Sequence, residues 1–167
     1  MAVAVGGPAV GLFGGSGDSR VALGRSFAAF DVGAPPLAPG AIASETRVIT
    51  SATTSDGSHT LYVSPTTKGG FCYEWTGWMV SCNPLRTTPF WVSWGKTRVL
   101  GTVSSVKVSS VEIEFTDGTS AKPEISWISS PINAGFFLYE IPAGKTVAQI
   151  KGLNGGHTSA QVTWFSV

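Results

Sequence analysis

"TRVLGTVSSVKVSSVEIEFTDGTSAKPEISWI", residues 97–128, decides the fold class. Within it Val111, Ile113 and Phe115 alternate with Glu112 and Glu114, so an extended chain buries one face and wets the other. Asp117-Gly118 then turns the chain, since this pair readily takes the positive-φ geometry of tight hairpins. Pro123 sets the start of the returning strand at a sheet edge, because proline has no N–H to give to a ladder.

The device recurs on both sides. Upstream, "ETRVITSATTSDGSHTLYVSP" (residues 45–65) holds two β-prone runs around Asp56-Gly57. Downstream, "GFFLYEIPAGKTVAQIKGLNGGHTSAQVTWFSV" (residues 135–167) offers three more, with Ala143-Gly144 and Asn154-Gly155-Gly156 as turns. No stretch carries a clean helical period. The expected fold is an all-β, single-domain β-sandwich of about eight to ten short, mostly antiparallel strands, spaced roughly 8–12 residues apart.

The totals agree. A chain of 167 residues fits one domain, and its 21 glycines suit strands and turns better than helices. Charged residues make up 13%, with 11 basic against 10 acidic side chains. The basic ones stand singly from Arg20 to Lys151, so the stripe of a nucleic-acid binder is missing and no such partner is expected. No run has the roughly 18 apolar residues of a membrane-spanning helix.

Residues 1–43 read differently from the rest. "MAVAVGGPAVGLFGG", "GGSGDS" and "DVGAPPLAPGA" are rich in Gly, Ala and Pro, the composition of a linker. "VALGRSFAAF" between them fits a short strand or a helical turn equally well. The expectation is a leader or linker over 1–43 and a β-sandwich domain over 44–167. The leader itself has two readings: a flexible segment, or the outer end of a signal or membrane tether that starts upstream of residue 1.

"GFCYEWTGWMVSC" (residues 70–82) contains both cysteines. Zinc sites pair cysteines about two to four residues apart and need four ligands, and thioredoxin-like redox chemistry needs Cys-x-x-Cys. Neither pattern is present, which leaves a structural disulfide or two free thiols. Aromatic and β-prone residues flank Thr76-Gly77 on both sides. Paired across that turn, Cys72 and Cys82 stand opposite each other, within bonding distance. The disulfide is the expectation, and with it an extracytoplasmic location, because such bonds persist in oxidising compartments.

Trp75, Trp78, Trp91 and Trp94 lie within twenty residues. They are candidate ligand-binding residues, since aromatic faces on a β surface stack flat ligands and sugar rings; the competing reading is core packing. In "FWVSWGK" alternation sets Trp91 opposite Phe90, Val92 and Trp94.

Catalytic signatures are missing. His59 and His157 are far apart, each beside a Gly-containing turn, and read as surface-loop histidines. A transition-metal site would have to recruit Asp56 or Glu140. Nucleophile elbow, phosphate loop, dinucleotide fingerprint and calcium loop are all lacking. Glu112 and Glu114 share a strand face roughly 7 Å apart, as glycosidase carboxylates do, yet exposed alternation explains them. No catalytic residue, metal or cofactor is assigned.

"VLGTVSSVKVSSVEIEFTDGTSAKPEI" followed by "GFFLYEIPAGKTVAQIKGLNGG" resembles uncharacterised β-domains of actinobacterial secreted or membrane-anchored proteins. In those, a G-x-V strand leads to a D-G turn, then a G-x-F-x-x-x-x-P strand and a strand ending in Asn/Asp-Gly. A "GG-x-C" segment lies upstream, matched here by Gly69, Gly70 and Cys72. The likeness spans residues 59–156 and implies a β-sandwich outside the membrane, with no established activity. Three functions follow as expectations: a non-catalytic extracytoplasmic domain that binds or senses a protein or glycan ligand, a cell-wall-binding module using the Trp cluster, or a hydrolase with an unrecognised site.

Overall fold

A computed structural model describes residues 25–32 and 37–163, the last three by their backbone. The apolar leader and "GGSGDS" lie outside the described residues, as does "GAPP" (residues 33–36). Among the described residues thirteen strands form: β1 Asp31–Val32, β2 Arg47–Thr54, β3 Gly57–Pro65, β4 Phe71–Trp75, β5 Met79–Cys82, β6 Phe90–Trp94, β7 Arg98–Ser104, β8 Ser110–Phe115, β9 Ser120–Ala121, β10 Ser126–Ile128, β11 Ala134–Glu140, β12 Val147–Asn154 and β13 His157–Thr163. Short 3-10 turns occupy Phe27–Ala29 and Ala43–Glu45. The chain is an all-β sandwich, as its alternation predicts. The expected turns form the β2–β3, β8–β9 and β12–β13 hairpins, and Gly118 takes the positive φ its turn requires.

The strands make three antiparallel sheets, ordered β1-β2-β3-β4-β5, β10-β11-β7-β6 and β13-β12-β8-β9. The second sheet is the middle layer. Its Leu100 and Phe136 join Leu61, Val63, Phe71, Tyr73 and Trp75 of the first sheet in one core. Its Val99, Val103 and Phe137 join Val111, Ile113, Phe115 and Ile150 of the third sheet in another. Successive residues of β7 and β11 thus point into different cores, which is why neither strand alternates apolar residues with exposed polar ones. Gly101, opposite Phe137, has no room for a side chain: a Cβ there would lie 2.6 Å from the Phe137 ring.

The packed domain starts upstream of the expected boundary at residue 44. Phe27 and Phe30 are buried in the first core, and β1 pairs with β2. The two phenylalanines are three apart, so a single 3-10 turn brings both to one side. Arg25 lies over the Phe30 ring and Arg47 over the Phe27 ring. Mean composition over 1–43 conceals this pair among Gly, Ala and Pro.

Candidate functional site

The cysteine reading holds. Cys72 and Cys82 are directly paired residues of the β4–β5 hairpin and form a disulfide, with Cα atoms 4.0 Å apart. The bond ties the edge strand β5 to its neighbour at the end of the sandwich away from the Thr76-Gly77 turn. Among the described residues no helix is long and apolar enough to cross a membrane.

At the stapled end four loops converge: residues 66–70, 83–89, 105–109 and 129–133. Each of the first three is a hydrogen-bonded turn carrying one cation. Gly69 N–H donates to Thr66 O at 3.1 Å, closing a turn that presents Lys68. Arg86 N–H donates to Asn83 O at 3.2 Å, around Pro84, whose fixed φ suits this position. Lys107 N–H donates to Ser104 O at 3.2 Å. Cross-links fix the turns to one another: Asn83 N–H donates to Phe71 O at 2.7 Å, and Ser105 N–H to Asn133 O at 3.2 Å. Between the turns lies a cleft of about 700 Å³, within the usual range of small-molecule sites.

Its lining is one-signed. Lys68, Arg86 and Lys107 line it and, among the described residues, no Asp or Glu does. No ion pair links these three to a carboxylate among the described residues. The remaining walls are hydroxyls (Thr87, Thr88, Ser104), the amides of Asn83 and Asn133, and an apolar surface from Leu85, Pro89 and Ile132. All three cationic side chains are exposed, whereas Phe71 is only 4% exposed, so no aromatic face is offered.

The opposite end is built the other way. Arg98, first residue of β7, pairs with Asp56, donates to His59 Nε2 at 2.8 Å and covers the Trp78 ring at 4.3 Å. His59 Nδ1 lies 2.8 Å from Thr76 O; a carbonyl only accepts, so Nδ1 carries the proton and Nε2 receives the Arg98 N–H. Both ring nitrogens are engaged, and the ring is buried. His59 is therefore a strand residue bridging two sheets, not the surface-loop residue its neighbouring Asp-Gly suggests. His157 is exposed at the start of β13. Glu140, paired with Arg98 across β11 and β7, accepts from the Ser55 hydroxyl and N–H, which hold its carboxyl below the usual range. On the third sheet, Lys151 and Gln149 lower Glu114, and Lys145 lowers Asp117. Arg98, Lys145 and Lys151 are thus each matched to a carboxylate, whereas among the described residues Lys68, Arg86 and Lys107 are not.

The four tryptophans do not assemble into one surface. Trp75 is 2% exposed and belongs to the first core, so the core reading applies there. Trp78 and Trp91 are half-buried against the same core, Trp78 beneath Arg98 and Trp91 edge-on to Tyr73 at 6.0 Å. Trp94, on the other face of β6, is 53% exposed. Lys68, Arg86 and Lys107 escaped the sequence reading because they stand 18 and 21 positions apart in sequence (86 − 68 and 107 − 86). Their only sequence signal is local: each adjoins turn-forming residues, in Lys-Gly-Gly, Asn-Pro-Leu-Arg and Ser-Ser-Val-Lys. Among the described residues no three His, Cys, Asp or Glu side chains cluster to hold a metal.

Fold and cleft define a three-layer, disulfide-stapled β-sandwich with a cationic recess at one loop end. No protein-family model, curated protein or solved structure matches this chain.

Proposed function

We propose that this chain is a non-catalytic binding domain that works outside the cytoplasm and takes its ligand in the cleft at the stapled end. The observation that supports it most is the cleft itself: about 700 Å³, open to solvent and bordered by loops that hydrogen bonds and a disulfide hold in place. Loops on a rigid β frame are where such domains carry recognition, and preformed turns spare the ordering cost on binding. The disulfide supports the compartment, since it persists where thiols are not kept reduced.

The test is cosedimentation of the purified chain with insoluble cell-wall polysaccharide, comparing the parent with Thr87→Trp. Thr87 is an exposed cleft residue, so an indole there fills the recess without disturbing a core. Binding should fall at least about tenfold while the melt stays unchanged. Undiminished cosedimentation of a folded Thr87→Trp would count against the cleft. Exposed Trp94 supports the competing aromatic reading, and loss of binding in Trp94→Ala alone would favour it.

A further inference from the structure

We infer that the ligand of the cleft is an acidic, hydroxyl-bearing polymer: a polysaccharide segment carrying carboxylates or phosphates. This rests on the reading of the cleft as the ligand site. Three features of the lining select that chemistry. Lys68, Arg86 and Lys107 converge there with no acidic residue among the lining and no ion pair of their own among the described residues. Such a group of like charges is relieved by an anion, and contacts between ionised partners are the stronger kind of hydrogen bond.

The second feature is the hydroxyl and amide wall. Thr87 and Ser104 can each donate and accept, which matches sugar hydroxyls and is wasted on a ligand that offers only anionic oxygens. The third is the lack of an accessible ring. Among the described residues Phe71 is the one aromatic residue of the lining and is buried, so a nucleobase would find no stacking surface of the kind that single-stranded nucleic acid needs. The net charge of the whole chain is only +1. Long-range attraction to any polyanion is therefore weak, and binding depends on the cations that line the cleft.

The experiment is titration of the full chain with polygalacturonate, with uncharged dextran and with a DNA duplex, at low and high salt. The variant carries Lys68→Gln, Arg86→Gln and Lys107→Gln together; all three side chains are exposed, and an unchanged melt confirms its fold. Polygalacturonate should bind the parent and lose at least about tenfold in affinity in the triple variant. High salt should weaken the parent complex and leave the residual binding of the variant unmoved. Dextran should bind at least about tenfold more weakly than polygalacturonate.

Equal binding of dextran and polygalacturonate overturns the inference, as does polygalacturonate binding that the triple variant retains or that never occurs. DNA bound as tightly as polygalacturonate overturns it too, since charge alone would then suffice. The two proposals fail separately. If Thr87→Trp abolishes cell-wall binding and the triple variant keeps it, the cleft stands and its anionic ligand falls; if neither change matters, both fall.

Discussion

Tyr73 is buried for the sake of its ring and against the preference of its hydroxyl. The ring meets Phe136 at 5.4 Å and Trp91 at 6.0 Å, both edge-on, arrangements that add to the gain from area alone. The hydroxyl is buried and has no hydrogen-bond partner among the described residues. Burial pushes its ionisation far above the ordinary tyrosine value of 10.0. The sign of the pH effect follows. Below that value neither folded nor unfolded chain loses the proton; above it the unfolded chain does and the folded one does not, so stability falls as pH rises. Tyr73→Phe keeps the ring contacts and removes an oxygen whose desolvation costs about 1–3 kcal/mol. It should stabilise the domain by about 1 kcal/mol and flatten the alkaline loss, measured by chemical denaturation at neutral and alkaline pH. A destabilised variant would show that the hydroxyl has a partner in solution. The burial of Tyr73 was half legible: alternation in "FCYEW" places Phe71, Tyr73 and Trp75 on one face, without saying that a second sheet covers that face.

The β4–β5 hairpin shows what an element adds. Its register is fixed by the turn at Thr76-Gly77, with Gly77 at positive φ, and that register alone brings Cys72 opposite Cys82. Closing this short loop restricts the unfolded chain by roughly 2–3 kcal/mol in the loop-entropy account. A Cys72→Ala, Cys82→Ala double variant should lose about that much in urea denaturation, and the parent should lose a similar amount on adding reductant. A double variant as stable as the parent would mean that the hairpin needs no staple. The disulfide was readable because hairpin register depends on neighbours in sequence. The cleft was not, because Lys68, Arg86 and Lys107 meet through the stacking of two sheets and the return of four separate loops to one end. His59 was misread for the same reason: its Asp-Gly neighbour reports a turn, while its burial comes from Arg98 of another sheet.

At the scale of the whole molecule, the middle sheet makes the domain, and it was the part least visible as a layer. β8 announces one wet face through Glu112 and Glu114. "RVLGTVS" and "AGFFLYE" lack that alternation because both faces of their sheet are covered; read singly they predict strands, and only together a third layer. The same view settles what the segment before residue 44 contributes. Phe27 and Phe30 close the first core from outside the first two sheets' main strands, and β1 extends the first sheet beyond β2. Fully burying a phenylalanine side chain is worth about 1.5–3 kcal/mol, so deleting residues 1–43, which carry two of them, should cost on the order of 3–6 kcal/mol. For a domain of this size each kcal/mol corresponds to roughly 2–4 °C in Tm, so the truncated chain should melt at least about 6 °C lower in calorimetry. The double variant Phe27→Ala, Phe30→Ala in the full chain should reproduce most of that loss. A truncated chain that melts where the parent does would show that these two rings rest on the core without holding it.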